Sequence, residues 1–275
     1  MLRTQIISAP NPSFSSITYT NNGATSDYNA LQLQFERRLS RGLQAMASYT
    51  WAHAIDEVSD EQISSLGTPN IVRGNADFDI RHNFSAAVSY NIPAPKNNAA
   101  LKALLGGWAT DALVRIQSAA PFSISSGIEV DELGRLVQRR ANLTLGIPIY
   151  IDDPLAPGGM RLNNTVDPAR PGCRGPFCPA PAGAQGSLGR NVLRGFSLNQ
   201  MDFALRRQFN ITERVNLQFR VEAFNLFNHP NFALPENSLT SVNFGRATRT
   251  LGTSLSSSGA GLSPLFQIGG ARTMG

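Results

Sequence analysis

Two clusters in this chain carry side chains of the kind that bind metal ions. His53, Asp56 and Glu57 form one, and Asp77, Asp79 and His82 form the other. Imidazole nitrogens and carboxylate oxygens are ordinary ligands for divalent cations, but a site needs several of them converging on one point. Both clusters fall where a strand-like segment meets a long polar one, and there such residues fix strand ends or face water. No metal site and no cofactor is expected. His229, in Asn228-His229-Pro230-Asn231, has the nitrogen of a general base but no visible nucleophile or orienting acid, so a turn role is expected. Ala156-Pro157-Gly158-Gly159 matches neither the phosphate loop nor the dinucleotide fingerprint. No residue is assigned a catalytic role, and the chain does not read as an enzyme. Cys173 and Cys178 lie in a Pro/Gly-rich loop, where a small disulfide could staple the turn in an oxidising compartment.

The elements that position these residues are written in a period of two. Successive β side chains point to opposite faces, so alternation gives each segment one greasy and one wet side. Six segments alternate over about nine residues, the length that crosses a bilayer as a tilted strand. Residues 28–39 set Leu31, Leu33 and Phe35 against Gln32 and Gln34. Residues 43–52 set Leu43, Tyr49 and Trp51 against Gln44 and Ser48. The third segment carries Phe84, Val88 and Tyr90 on its apolar side, and the fourth places Trp108, Val114 and Ile116 opposite Asp111 and Arg115. The fifth places Met201, Phe203 and Leu205 opposite Gln200 and Asp202. The sixth places Leu217, Phe219 and Val221 opposite Gln218, Arg220 and Glu222. A seventh strand is expected over 242–250. The longest irregular region, 118–195, holds short strands near 122–125 and 147–151.

The connections run short, long, short, long, short, then medium. Transmembrane β-barrels alternate in this way, with short turns on the periplasmic side and longer loops outside. A soluble sandwich has no reason to sort its loops by parity. Trp108 and Phe209 then fall near the short-turn interface, and Tyr49, Trp51 and Phe84 near the other, as aromatic girdles would. Arg37 and Arg207 interrupt the apolar parity, but both lie close to a short turn, where a long side chain can snorkel to headgroups. The expected fold class is all-β: an antiparallel up-and-down transmembrane β-barrel segment of six to seven long strands. The apolar set faces lipid and the polar set faces the lumen.

Composition agrees with this and narrows the function. The chain has 275 residues, 41% hydrophobic and 16% charged, with a formal net charge of +5. That hydrophobicity excludes wholesale disorder. No stretch approaches the ~18 apolar residues of a membrane-spanning helix. Basic residues are spread along the chain rather than gathered in a stripe with interleaved aromatics, which argues against nucleic acid as a partner.

Several motifs together resemble a known family. They are Asn22-Gly23-Ala24-Thr25-Ser26-Asp27-Tyr28-Asn29-Ala30-Leu31-Gln32, Ala47-Ser48-Tyr49-Thr50-Trp51-Ala52-His53-Ala54-Ile55-Asp56, Asp77-Phe78-Asp79-Ile80-Arg81-His82-Asn83-Phe84 and Val221-Glu222-Ala223-Phe224-Asn225-Leu226-Phe227-Asn228-His229-Pro230-Asn231-Phe232. They resemble the C-terminal barrel of TonB-dependent outer-membrane receptors, and among these the Oar-like group abundant in acidobacteria. The resemblance implies a barrel of about 22 strands with a plugged lumen. It also implies an outer-membrane location, an unidentified extracellular ligand, and coupling to the TonB energy complex through an N-terminal part not seen in this sequence.

With no visible signal peptide, plug or closing aromatic strand, the chain reads as a fragment whose partners are outer-membrane lipid and the remainder of the receptor. Its expected organisation is a loop or strand entry over 1–27, a partial barrel over 28–254, and a loop with the start of a last strand over 255–275. The alternatives are a soluble or secreted β-sandwich acting in interaction or adhesion, and a non-functional receptor remnant.

Overall fold

The computed structural model describes residues 3–7, 17–21, 23–57, 59, 73–94, 101–102, 105–130, 136–212, 214–252 and 273–274. Six long strands dominate it: β1 (Ser26–Ser40), β2 (Leu43–Asp56), β3 (His82–Asn91), β4 (Trp108–Gln117), β5 (Leu198–Asn210) and β6 (Asn216–Phe224). Each alternating segment of the sequence becomes one of these strands. They form one antiparallel sheet in chain order from β1 to β6, with Thr273–Met274 adding a short strand outside β6. Among the described residues every other sheet is a two-stranded ladder. The sheet is not closed: β1 stands at one end, and all fifteen of its residues are exposed.

Local chemistry fixes the hairpins. Between β1 and β2, Arg41 (φ 51°) and Gly42 (φ 81°) are both left-handed, as the tightest hairpin turns require. A Cβ on Gly42 would sit 2.7 Å from the Asn91 carbonyl oxygen, so the turn also needs glycine for close approach of β3. Gly107 (φ 77°) does the same before β4, where a Cβ would meet the Gln208 carbonyl oxygen at 2.5 Å.

The long region between β4 and β5 holds short strands at Pro121–Phe122 and Tyr150–Asp152, near the two places expected, and more order besides. It is a folded module of short antiparallel ladders. Ser125–Val130 pairs with Leu136–Arg140, Asn142–Leu143 with Phe177–Cys178, Tyr150–Asp152 with Met160–Leu162, and Pro121–Phe122 with Leu193–Arg194. Its core gathers Phe122, Ile124, Leu162, Phe177, Leu188 and Leu193, all at or below 4% exposure. Each such side chain contributes roughly 1.5–3 kcal/mol on leaving water. The hydrophobic core of this protein therefore lies beyond the end of the sheet and not beneath it.

A correction concerns 242–250, which forms turns and not a seventh strand. Phe244 is fully buried in the module core, edge-on to Phe177 with ring centroids 5.8 Å apart. To insert it the backbone folds through Ser241–Gly245, with Gly245 at φ 81°. Alternation around Val242 and Phe244 reflects one exposed and one buried turn residue. The segment packs with the loop module.

Candidate functional site

The sheet register joins the six apolar combs into one surface. Leu31 pairs with Trp51, Leu33 with Tyr49, and Phe35 with Ala47. Leu43, Tyr49 and Trp51 lie opposite Tyr90, Phe84 and His82. Phe84, Ala86 and Val88 meet Ile116, Val114 and Ala112, which in turn meet Asn199, Met201 and Phe203. Leu205, Arg207 and Phe209 then meet Val221, Phe219 and Leu217. Because directly paired residues share a face, every residue expected to face lipid lies on the same side of the sheet. The surface is open to its surroundings, with Leu33 56%, Phe35 60% and Phe219 58% exposed. A contiguous apolar sheet face of this extent calls for a non-aqueous neighbour.

The polar residues share the other face, and they are knitted to one another. Ser48 and Ser85 hydroxyls are 2.8 Å apart across β2 and β3. Ser89 donates to Asp111 at 2.7 Å, and Arg206 pairs with the same carboxylate at 3.1 Å. Gln200 donates to Asp202 at 2.9 Å, Asp202 accepts the Asn225 N–H at 2.9 Å, and Arg220 pairs with Glu222. A groove of about 430 Å³ runs across this face, lined by Gln44, Met46, Asp111, Leu113, Arg220 and Glu222. Towards the loop module a larger cavity of about 550 Å³ lies between Ser85, Arg115 and Gln117 of the sheet and Phe196 and Phe232 of the loops. Gln32 and Gln34 extend the polar face along β1, and Gln218 along β6.

At the long-loop end, the histidine and carboxylates considered as metal ligands tie the loop module to the strands. Asp79 is buried and accepts the Ala54 backbone N–H at 2.8 Å, Arg81 Nε at 2.9 Å and Arg194 Nη2 at 2.5 Å, with His53 Nδ1 at 3.2 Å. Burial pushes its carboxyl up. The Ala54 N–H, the Arg194 and His53 side chains and the Arg81 charge outweigh that and bring it to about 2. Asp56, also buried, pairs with Arg190 of the module, and Arg190 donates further to Ser59 Oγ at 3.1 Å and the Asn75 carbonyl at 3.3 Å. Asn75 and Asn191 exchange amide-to-carbonyl hydrogen bonds at 2.8 and 2.9 Å.

Glu57 accepts the Thr25 N–H and hydroxyl, Asp77 accepts Asn191 Nδ2 at 2.5 Å, and His82 is hydrogen-bonded to Tyr49 at 2.8 Å. Among the described residues no group of three His, Cys, Asp or Glu converges on a point. His229 is held in its turn, its N–H donating to Asn225 Oδ1 at 3.1 Å and its carbonyl accepting Asn225 Nδ2 at 2.9 Å. Cys173 and Cys178 are bonded to each other within the module.

Sequence reasoning missed Arg190, Asn191 and Arg194. They lie in a Gly- and Asn-rich stretch with no periodicity, more than a hundred residues from their partners, so no local signal marks them.

A family profile described as an outer membrane beta barrel domain matches residues 4–258. No curated protein matches the chain, and no solved structure does. The profile spans all six long strands and the loop module, and the sheet has the two-faced antiparallel form that an outer-membrane wall requires. The chain therefore belongs to the outer membrane β-barrel domain family and is an outer-membrane protein.

Proposed function

We propose that this chain is barrel wall and extracellular loop of a TonB-dependent receptor of the Oar-like type, whose parent protein binds or takes up an extracellular ligand. The observation that carries the reading is the register. Six separate combs become one apolar face, and among the described residues the folded loop module between β4 and β5 rises from the long-loop rim. The apolar face meets lipid. The polar face, with its groove and paired charges, meets a wet lumen or a plug. The outer edge of β1 and the length of β6 beyond Thr273–Met274 receive further strands of the barrel, because unpaired strand edges in a bilayer leave backbone groups without partners. The chain does no chemistry of its own in this reading, and it binds no cofactor and no nucleic acid. Energy coupling through TonB would pass by way of a plug and not through these strands.

Labelling on intact cells tests the orientation. Both native cysteines are bonded to each other, so a thiol introduced at Leu155 (96% exposed, in the module) or at Arg41 (in the first short turn) reports alone. A membrane-impermeant maleimide should label the Leu155→Cys variant on intact cells, and the Arg41→Cys variant only after permeabilisation. The opposite pattern would overturn the proposal.

A further inference from the structure

On the polar face of the sheet one arginine stands apart from its neighbours. Arg206 pairs with Asp111 and Arg220 with Glu222. Arg207, on the apolar face, lies over Trp108 and Phe209, 5.1 and 4.3 Å from the ring centres. Arg115 pairs with no carboxylate among the described residues, although it is half-buried. It sits between Ser85 of β3 and Gln200 of β5 in the register, with Asn83 and Gln117 paired two residues further along the same face. Asn83, Ser85, Arg115 and Gln117 floor the cavity of about 550 Å³ between the sheet and the loop module.

Facing that polar floor is an aromatic wall. The rings of Phe196 and Phe232 pack edge to face with centroids 5.4 Å apart. Gly158 backs them so closely that a Cβ there would lie 2.6 Å from the Phe196 ring, so the wall is held from behind. No Asp or Glu among the described residues lines the cavity. A guanidinium set among neutral amides and hydroxyls thus has five N–H donors and no acid to receive them. A cavity of this size, with one charged group and an aromatic side, has the form of a small-molecule site.

We propose that this cavity binds a small aromatic carboxylic acid, its carboxylate held by Arg115 and its ring laid against Phe196 and Phe232. The proposal rests on the reading that the polar face lines a lumen open to extracellular ligands, and it names the class of ligand. Arginine's planar fork matches a carboxylate with two parallel N–H···O bonds. One positive charge balances a monoanion, whereas a phosphate monoester brings a charge of about −1.5 to −2 and leaves the surplus uncompensated. Asn83 and Gln117 supply hydrogen bonds that orient the head without adding charge. The two phenyl rings receive a flat apolar body in offset or edge-to-face contact.

Ser197 lines the same cavity and is exposed, and the native cysteines are bonded to each other, so Ser197→Cys reports alone. The full chain carrying it, in lipid vesicles at neutral pH, is labelled with a neutral water-soluble maleimide in the presence of 2-naphthoate or the uncharged 2-naphthalenemethanol. 2-Naphthoate should slow labelling at about tenfold lower free concentration than the alcohol, the margin of a charge-assisted hydrogen-bonded pair. Arg115→Gln should remove that margin by weakening 2-naphthoate alone, and Phe196→Ala should weaken both probes. Arg115→Lys keeps the charge without the fork and should fall between, which holds the test even if the Gln variant does not insert. Equal protection by the two probes, a margin that survives Arg115→Gln, or 2-naphthyl phosphate protecting as well as 2-naphthoate would overturn the proposal. Co-flotation with the vesicles reads the wall separately. Floating protein without protection loses only the site, and protection in protein that does not float loses only the wall.

Discussion

Arg190 reaches 134 residues back along the chain to pair with Asp56, and both side chains are almost completely buried. The pair joins the loop module to the last residue of β2. Asp79 makes a second such joint, binding Arg194 of the module and Arg81 beside it. Two buried carboxylates thus hold a folded loop to the end of the sheet. The joint is polar because the strand ends are polar.

Removing one member of the Arg190–Asp56 pair should cost more than removing both. Arg190→Leu leaves Asp56 buried without its counter-ion, a loss of about 3–5 kcal/mol. Arg190→Leu with Asp56→Leu should recover much of it. Hydrogen exchange of the module amides, compared with those of β2 to β5, checks this. Protection should fall in the module and persist in the sheet.

Acid should undock the module through Asp79. Its carboxyl titrates near 2 in the folded protein, against an ordinary value of 3.8. A lowered folded value means the stabilisation is complete above pH 3.8 and disappears as pH falls through about 2. The shift corresponds to roughly 2 kcal/mol. Protease cleavage within 136–197 should rise across that window, and Asp79→Asn should be cleaved readily at neutral pH with no further rise on acidification.

A charge in the middle of the apolar face should block insertion, whereas the same charge one face away should be tolerated. Val114 lies mid-strand in β4 between Ala86 and Met201, and Val114→Arg should cost about 2–4 kcal/mol in a bilayer. Ala87 lines the groove of the opposite face, so Ala87→Arg should insert with near-native yield. The folded fraction in lipid vesicles, read by heat-modifiable gel mobility, separates the two.

Breaking the Cys173–Cys178 disulfide should weaken the module alone. A cross-link closing so short a loop is worth about 2 kcal/mol in the chain-entropy account. The double Ser variant should lose hydrogen-exchange protection around Phe177 and Leu162, with the sheet unchanged.

The strands were legible in the sequence because their signal is local. Leu31 to Phe35 or Met201 to Leu205 shows its two faces within five residues, and a period of two survives without knowledge of any neighbour. The hairpin at Arg41-Gly42 and the parity of loop lengths are equally local, and the outer-membrane reading followed from them. The tertiary structure alone decided what depends on distant partners. Phe244 continued an apparent alternation, yet the module core had a place for it and the backbone turned to fill that place. Asp56 and Asp79 had the composition of metal ligands, and only the fold brought Arg190 and Arg194 to them. Arg207 broke the pattern of its strand, and only the register showed that it lies over Trp108 and Phe209. Periodicity specifies which face a side chain takes. The partner it finds there is set by register and packing across a hundred residues or more, which the sequence of one segment does not contain.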